Sequence, residues 1–137
     1  MTAQSEGSGS EDPAPQPEVH ACIICCPENQ RALYEYVEKN GPADAIVKMF
    51  GGAKLFISKN DADLEYAKKQ LRTAIKWQGV SVVVLMLHDN CVFRDVRGNP
   101  PDAREELRRA AGVVTFAFSR ITVKKVLANE ETFHKIE

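Results

Sequence analysis

The sequence predicts an α/β domain with a mainly parallel sheet of about four strands and flanking helices. Short apolar runs recur at 19–26, 44–50, 80–87 and 121–127, which is the length of strands. Stretches with helical spacing of apolar residues separate these runs, as in βαβ units. The run at 80–87 has seven apolar residues in eight, four of them Val, which is typical of a strand buried on both faces of a parallel sheet.

Composition sets limits on the function. The chain has 137 residues, enough for one domain with a substantial core. We expect 1–18, rich in Ser, Gly and Pro, to be a disordered acidic tail, and 19–137 to be one domain. That body carries 15 acidic and 18 basic residues, too small an excess to indicate nucleic acid.

The compartment is predicted from what the sequence lacks. No apolar run reaches the ~18–20 residues of a membrane span, and the first residues do not resemble a signal peptide. We therefore expect a cytoplasmic protein with no membrane contact. Four cysteines in such a protein are mostly reduced, so ligand or reactive-thiol roles are favoured over disulfides.

Start and stop signals bound the first two helices. Pro27 and Glu28 suit the first turn of a helix that Asn40 and Gly41 would end. Asn60 or Asp61 would cap the second helix, and Gly79 would end it just before the strand at 80–87. The apolar piece at 55–57 has no predicted element.

The C-terminal part contains one ambiguous segment. Asp102 with Glu105 resembles a capping box, and apolar spacing carries the predicted helix through Gly112 to about Phe118. A strand at 113–118 is the competing prediction, because Val, Thr and Phe favour strands. A strand at 121–127 follows, then a turn at 128–132, and 133–136 could pair back as an antiparallel edge strand.

Residues with ligand chemistry stand at three predicted strand ends. They are Cys26, the pair Gly51 and Gly52, and His88 with Cys91. In open α/β sheets the functional crevice lies beyond the carboxyl ends of the strands. His and Cys placed there could hold zinc. The plainer alternatives are a buried strand followed by a loop that happens to carry His and Cys, and an ordinary turn at the two glycines.

Two further cysteines, Cys22 and Cys25, have the spacing of a redox Cys-x-x-Cys motif. A redox pair normally opens a helix with its first cysteine exposed, whereas both of these lie inside an apolar run. Because side chains alternate along a strand, the two should point to opposite faces. We expect them to be ordinary buried thiols.

Residues 26–30 (Cys-Pro-Glu-Asn-Gln), 50–52 (Phe-Gly-Gly), 64–67 and 88–91 (His-Asp-Asn-Cys) together resemble the β-class carbonic anhydrases. In that family Cys-x-Asp-x-Arg follows the first core strand, a glycine pair and a helix come next, and His-x-x-Cys ends the following strand. The likeness covers roughly 21–93, in the family's order. It adds a β-carbonic-anhydrase-like sheet to the predicted fold class.

The resemblance implies a zinc-dependent enzyme that converts carbon dioxide to bicarbonate. Zinc would be held by Cys26, His88 and Cys91, with water in the fourth position. Glu28 and Gln30 would occupy the family's catalytic Asp and Arg positions. Gly51, Gly52 and Asp89 would line the substrate pocket. The family also suggests a homodimer. The N-terminal helices that usually embrace a partner subunit are missing here, which should leave apolar surface that a partner subunit would cover.

Departures from the family pattern keep a second function open. Glu28 retains a carboxylate on a longer arm, but Gln30 lacks the charge and forked geometry of Arg. Leu87 and Val92 replace family glycines, so the mouth of the site must differ in shape. The alternative is a catalytically degenerate zinc-binding fold that acts as a structural or partner-binding module. Direct zinc binding by Glu28 or Asp89 would favour it.

Overall fold

The computed structural model describes residues 20–28, 30–88, 102–128 and 133–136, and it confirms the α/β class. Helices flank one five-stranded sheet. The elements in chain order are β1 (Ala21–Cys25), α1 (Gln30–Asn40), β2 (Ala45–Lys48), a 3-10 helix (Gly52–Ile57), α2 (Asp61–Gln78), β3 (Val82–His88), α3 (Ala103–Ala117), β4 (Thr122–Ala128) and β5 (Phe133–Ile136). Among the described helices, none is both long and apolar enough to cross a membrane.

The strand order is β2-β1-β3-β4-β5. All pairs are parallel except β4 with β5, so the predicted antiparallel edge strand is confirmed. The chain passes from β1 to one neighbour, β2, and then crosses to the other neighbour, β3. The connections from β1 therefore lead to opposite sides of the sheet, which makes the position between β1 and β3 a topological switch point. Such a point opens a crevice beyond the carboxyl ends of the two strands.

The two faces of the sheet have separate cores. One face packs against α2, α3 and the 3-10 helix, through residues such as Leu71, Leu107 and Phe56. The other face packs against α1, through Leu33 and Tyr36. These side chains are almost fully buried, so their apolar contacts hold both helical layers on the sheet.

Capping residues act largely as predicted. The Asn60 side chain accepts hydrogen bonds from the backbone N–H groups of Ala62 (2.8 Å) and Asp63 (3.3 Å), and so begins α2. Gly79 ends α2 with φ +64°. Asp102 accepts from the backbone N–H of Glu105 at 3.3 Å, and α3 runs through Gly112 to Ala117. The competing strand at 113–118 is wrong, because helical spacing buries Val114 with α3's other apolar residues.

Several element boundaries differ from the predictions, by one or two residues at the ends of β1 to β4. α1 begins at Gln30, because Pro27 and Glu28 form a turn after β1. β3 begins at Val82 and includes His88. The unassigned piece at 55–57 belongs to the 3-10 helix that follows Gly51. The tail at 1–18, the polar loop after Cys91 and most of the turn before β5 lie outside the described residues.

Candidate metal centre

Two neighbouring parallel strands bring Cys26 and His88 together. β1 ends at Cys25 and β3 ends at His88, and their register pairs Ile24 with Leu85. Cys26 is the first residue beyond β1, at the same edge of the sheet as His88. Both side chains are buried, with 3 % of Cys26 and 8 % of His88 exposed. The predicted meeting of these two positions at the carboxyl edge is therefore present in the structure.

Glu28 supplies a third polar group to this cluster. Its Oε1 lies 3.5 Å from Sγ of Cys26, which donates a hydrogen bond to it, and 3.5 Å from Nε2 of His88. About a third of the Glu28 side chain is exposed, so the carboxylate lies between the buried pair and solvent. The turn at Pro27 and Glu28 is what allows this orientation, since it delays the start of α1.

The three side chains form a group able to hold a metal ion. One ligand atom from each of Cys26, Glu28 and His88 lies within 4.8 Å of the other two. Ligands around tetrahedral zinc stand about 3.3–3.8 Å apart, as bond lengths of about 2.0–2.3 Å require. Small side-chain rotations would bring the three atoms to that spacing. Thiolate, imidazole and carboxylate are all zinc ligands, so the residues present fit the ion that the resemblance implies.

Cys91 and Asp89 lie outside the described residues. Their assignments, Cys91 to the metal and Asp89 to the substrate pocket, therefore stay predictions. His88 is the last described residue before them, and Cys91 follows it by three positions. A spacing of this length is common between two ligands of one zinc ion.

Gly51 and Gly52 lie beside the cluster and shape it. Gly51 has φ +93° and begins the 3-10 helix, and Gly52 has φ +50°, so both adopt angles that side chains disfavour. A Cβ on Gly52 would come within 3.0 Å of the Cys26 nitrogen and 3.2 Å of the Met86 oxygen. Gly52 therefore packs closely against the backbone of Cys26 and Met86. The role of Gly51 and Gly52 in a substrate pocket stays a prediction.

Gln30 joins the turn to the neighbouring strand. Its Nε2 donates to the carbonyl oxygen of Pro27 at 3.2 Å, and its Oε1 accepts from Nζ of Lys48 at 3.0 Å. Gln30 therefore contacts the backbone of the cluster's turn, and it connects that turn to a cation. The sequence pattern does not single out Lys48, because the predicted strand at 44–50 continues two residues beyond it. In the structure β2 ends at Lys48.

Cys22 and Cys25 have the buried positions predicted for them. Neither is exposed, and they belong to the cores on opposite faces of the sheet. The pKa of Cys22 is raised to about 12, mainly by burial and to a smaller extent by the nearby Cys25. Burial likewise raises the pKa of Cys25 to about 11, although the charge of Lys48 opposes that rise. Neutral thiols of this kind are poor ligands and poor nucleophiles.

A second feature absent from the sequence analysis is an ion pair near the protein interior. Lys54 of the 3-10 helix lies 3.5 Å from Glu106 of α3, and the two side chains are 6 % and 14 % exposed. The pair connects the segment after Gly52 to the first turn of α3. The sequence does not predict this ion pair, because no helix or strand could be assigned to the segment that contains Lys54.

Compared with known proteins, the chain matches no protein-family model and no curated sequence.

Proposed function

We propose that the chain binds zinc through Cys26, His88 and Cys91 and uses it to hydrate carbon dioxide to bicarbonate. The observation that carries the proposal is the placement of Cys26, Glu28 and His88 within 4.8 Å at the switch point of the sheet. The small-molecule crevice of an open α/β sheet is found at such a point. The resemblance to β-class carbonic anhydrases supplies the reaction.

The ligand chemistry favours zinc over the common hard cations. Magnesium and calcium select oxygen ligands, whereas sulfur and imidazole nitrogen select zinc and related transition metals. Cys26 and His88 provide one of each, and Cys91 would add a second sulfur. Three protein ligands leave one position open, which distinguishes a catalytic zinc site from a closed structural one.

Each described residue has a defined task in this proposal. Zinc bound at such a site supplies Lewis acidity, which lowers the pKa of water toward neutrality. Cys26 and His88 bind the ion through Sγ and Nε2. Glu28 accepts a hydrogen bond at Oε1 and so orients the attacking oxygen. The buried backbone around Gly52 and Met86 limits the access of bulk water on one side.

One observation favours the second function, a zinc-binding module without catalysis. Oε1 of Glu28 lies 3.5 Å from both Sγ of Cys26 and Nε2 of His88. If Glu28 becomes the fourth ligand, it closes the site, and a closed site stabilises structure without activating water. Enzyme and module therefore differ in whether Glu28 faces the open position or fills it.

Stopped-flow hydration of carbon dioxide on protein of known zinc content separates the two functions. The enzyme proposal expects a rate above buffer that scales with zinc occupancy and disappears when a chelator removes the metal. Zinc-loaded protein with no rate above buffer overturns the enzyme proposal and leaves the module. Protein that takes up no zinc overturns both.

A further inference from the structure

The contacts of Gln30 point to a residue that supports the metal centre from the adjacent strand. Lys48 is the last residue of β2 and pairs in register with Cys25, the residue before Cys26. Its Nζ donates to Oε1 of Gln30 at 3.0 Å, and Nε2 of Gln30 donates to the carbonyl of Pro27 at 3.2 Å. A continuous connection thus runs from β2 to the turn that carries Cys26 and Glu28.

We infer that Lys48 is a positioning residue for this site, and the inference rests on the proposed function. Lys48 orients the Gln30 amide, and that amide holds the carbonyl of Pro27, midway between Cys26 and Glu28. A turn held at its middle residue presents the thiolate and the carboxylate in a fixed relative orientation. Groups that orient ligands in this way affect metal affinity although they never touch the metal.

Charge gives Lys48 a second contribution. A bound Cys26 thiolate and the Glu28 carboxylate place negative charge at the end of β1, and a cation one strand away stabilises it. Gln30 is neutral, so the positive charge in this connection comes from Lys48.

The test compares Lys48→Met with Lys48→Arg, and uses Lys124→Met as the matched control. Lys124 is an exposed lysine on β4, away from the Gln30 contact. The zinc dissociation constant is measured by competition with a chelator. Loss of one exposed hydrogen bond predicts zinc binding weaker by about threefold to tenfold in Lys48→Met. Lys48→Arg should restore affinity to within about twofold, and Lys124→Met should match the wild type.

Gln30→Glu tests the connection itself. Glutamate still accepts from Lys48 but has no donor for the carbonyl of Pro27. If the turn must be held, this variant loses zinc affinity although its contact with Lys48 becomes an ion pair. If Gln30→Glu binds zinc at least as tightly as the wild type, the positioning role of the amide is wrong.

A metal-free measurement keeps this inference separate from the proposed function. The side-chain amide signals of Gln30 in a 15N-correlated NMR spectrum report its two hydrogen bonds directly. Lys48→Met should shift them in metal-free protein, and Lys48→Arg should largely restore them. If wild-type protein binds no zinc, the proposed function fails and these signals alone decide the connection. Lys48→Met protein with unchanged Gln30 signals and control-like zinc affinity overturns the inference.

Discussion

Oε1 of Glu28 lies 3.5 Å from Nε2 of His88, although the two residues are 60 positions apart in the chain. The contact exists because β1 and β3 are adjacent parallel strands, and because α1 starts only at Gln30. It places a carboxylate at the open side of the Cys26 and His88 pair. The function of the chain depends on what that carboxylate does.

Glu28→Gln should keep zinc but lower turnover by at least about tenfold. The amide retains the size of the side chain, yet its oxygen is a weaker acceptor and its nitrogen donates, so the attacking oxygen loses its orientation. Initial hydration rates at fixed zinc occupancy measure the effect. Glu38→Gln, an exposed change on α1, is the control and should leave the rate unchanged. Equal activity in Glu28→Gln would exclude Glu28 from the chemistry and make Asp89 the next candidate.

Replacing Glu28 and Gln30 by the Asp and Arg of the β-class carbonic anhydrases tests whether the present pair is a weakened version of the family's pair. Glu28→Asp combined with Gln30→Arg should raise the hydration rate per zinc, because Arg adds a charge and a forked donor beside the carboxylate. The double variant and its two single changes are compared in the same stopped-flow assay. A double variant slower than the wild type would show that Gln30 with Lys48 is already the working arrangement.

Gly52→Ala should destabilise the protein more than Gly41→Ala. Both glycines have positive φ, of +50° and +92°, so each change strains the backbone by about 1–2 kcal/mol. Nothing lies within 4 Å of a Cβ at Gly41, whereas at Gly52 it meets the backbone of Cys26 and Met86. Overpacking adds about 1–3 kcal/mol there. Urea denaturation of both variants gives the difference, and equal losses would contradict the observed packing.

Cys22 and Cys25 should resist alkylation in the folded protein. With a pKa of about 12, roughly one Cys22 thiol in ten thousand is ionised at pH 8, and burial blocks the reagent as well. Fragment-ion mapping after brief iodoacetamide treatment should find both unmodified, and both modified in urea. Cys22→Ser and Cys25→Ser should retain zinc. Rapid labelling of either thiol without denaturant would show that the sheet opens there.

Asp44 should contribute to stability against acid. Its carboxylate accepts from Nδ1 of His20 (3.0 Å) and from the backbone N–H of Ala21 (2.9 Å), and these bonds lower the pKa of Asp44 below 3.8. A lowered folded pKa gives stability that is present above the unfolded value and is lost as the pH falls through the folded value. Asp44→Asn should therefore be less stable than the wild type near neutral pH, with the difference shrinking as the pH falls below 3.8. A difference in urea denaturation that does not shrink as the pH is lowered would contradict this.

Assembly as a homodimer remains a prediction from the resemblance. Large apolar side chains are exposed on β2 and just beyond it, with Ile46 43 % and Phe50 59 % exposed. β2 is also an edge strand, and such surfaces are commonly covered by a partner. Light scattering should give twice the chain mass, before and after removal of 1–18. A monomer at high micromolar concentration would refute the dimer.

Most of the fold follows from local sequence signals. The valine run of β3, the Asn60 cap and Gly79 each fix an element through nearby residues alone. The segment after Gly112 favours a helix by its apolar spacing and a strand by its Val, Thr and Phe residues. The structure has a helix there, because helical spacing buries the apolar face of α3. The 3-10 helix could not be predicted, because a six-residue segment shows too little periodicity to identify it.

The sequence predicts the candidate ligand residues, but it does not predict the contacts that hold them in place. Cys26 and His88 stand at strand ends, where chain order alone predicts that they meet. The contact from Lys48 to Gln30 depends on the register of β1 with β2. The late start of α1 depends on the turn at Pro27 and Glu28, two residues that by themselves favour the first turn of a helix. Such details are set by tertiary packing, which residue patterns do not record.

Zinc analysis of the purified protein tests the central claim most directly. The proposed site predicts about one zinc per chain, with X-ray absorption showing two sulfur ligands and one nitrogen. Cys26→Ser and His88→Ala should lose the metal, while Cys25→Ser should keep it. Full zinc content in the Cys26→Ser protein would contradict the site, since Cys26 is the ligand proposed at the end of β1.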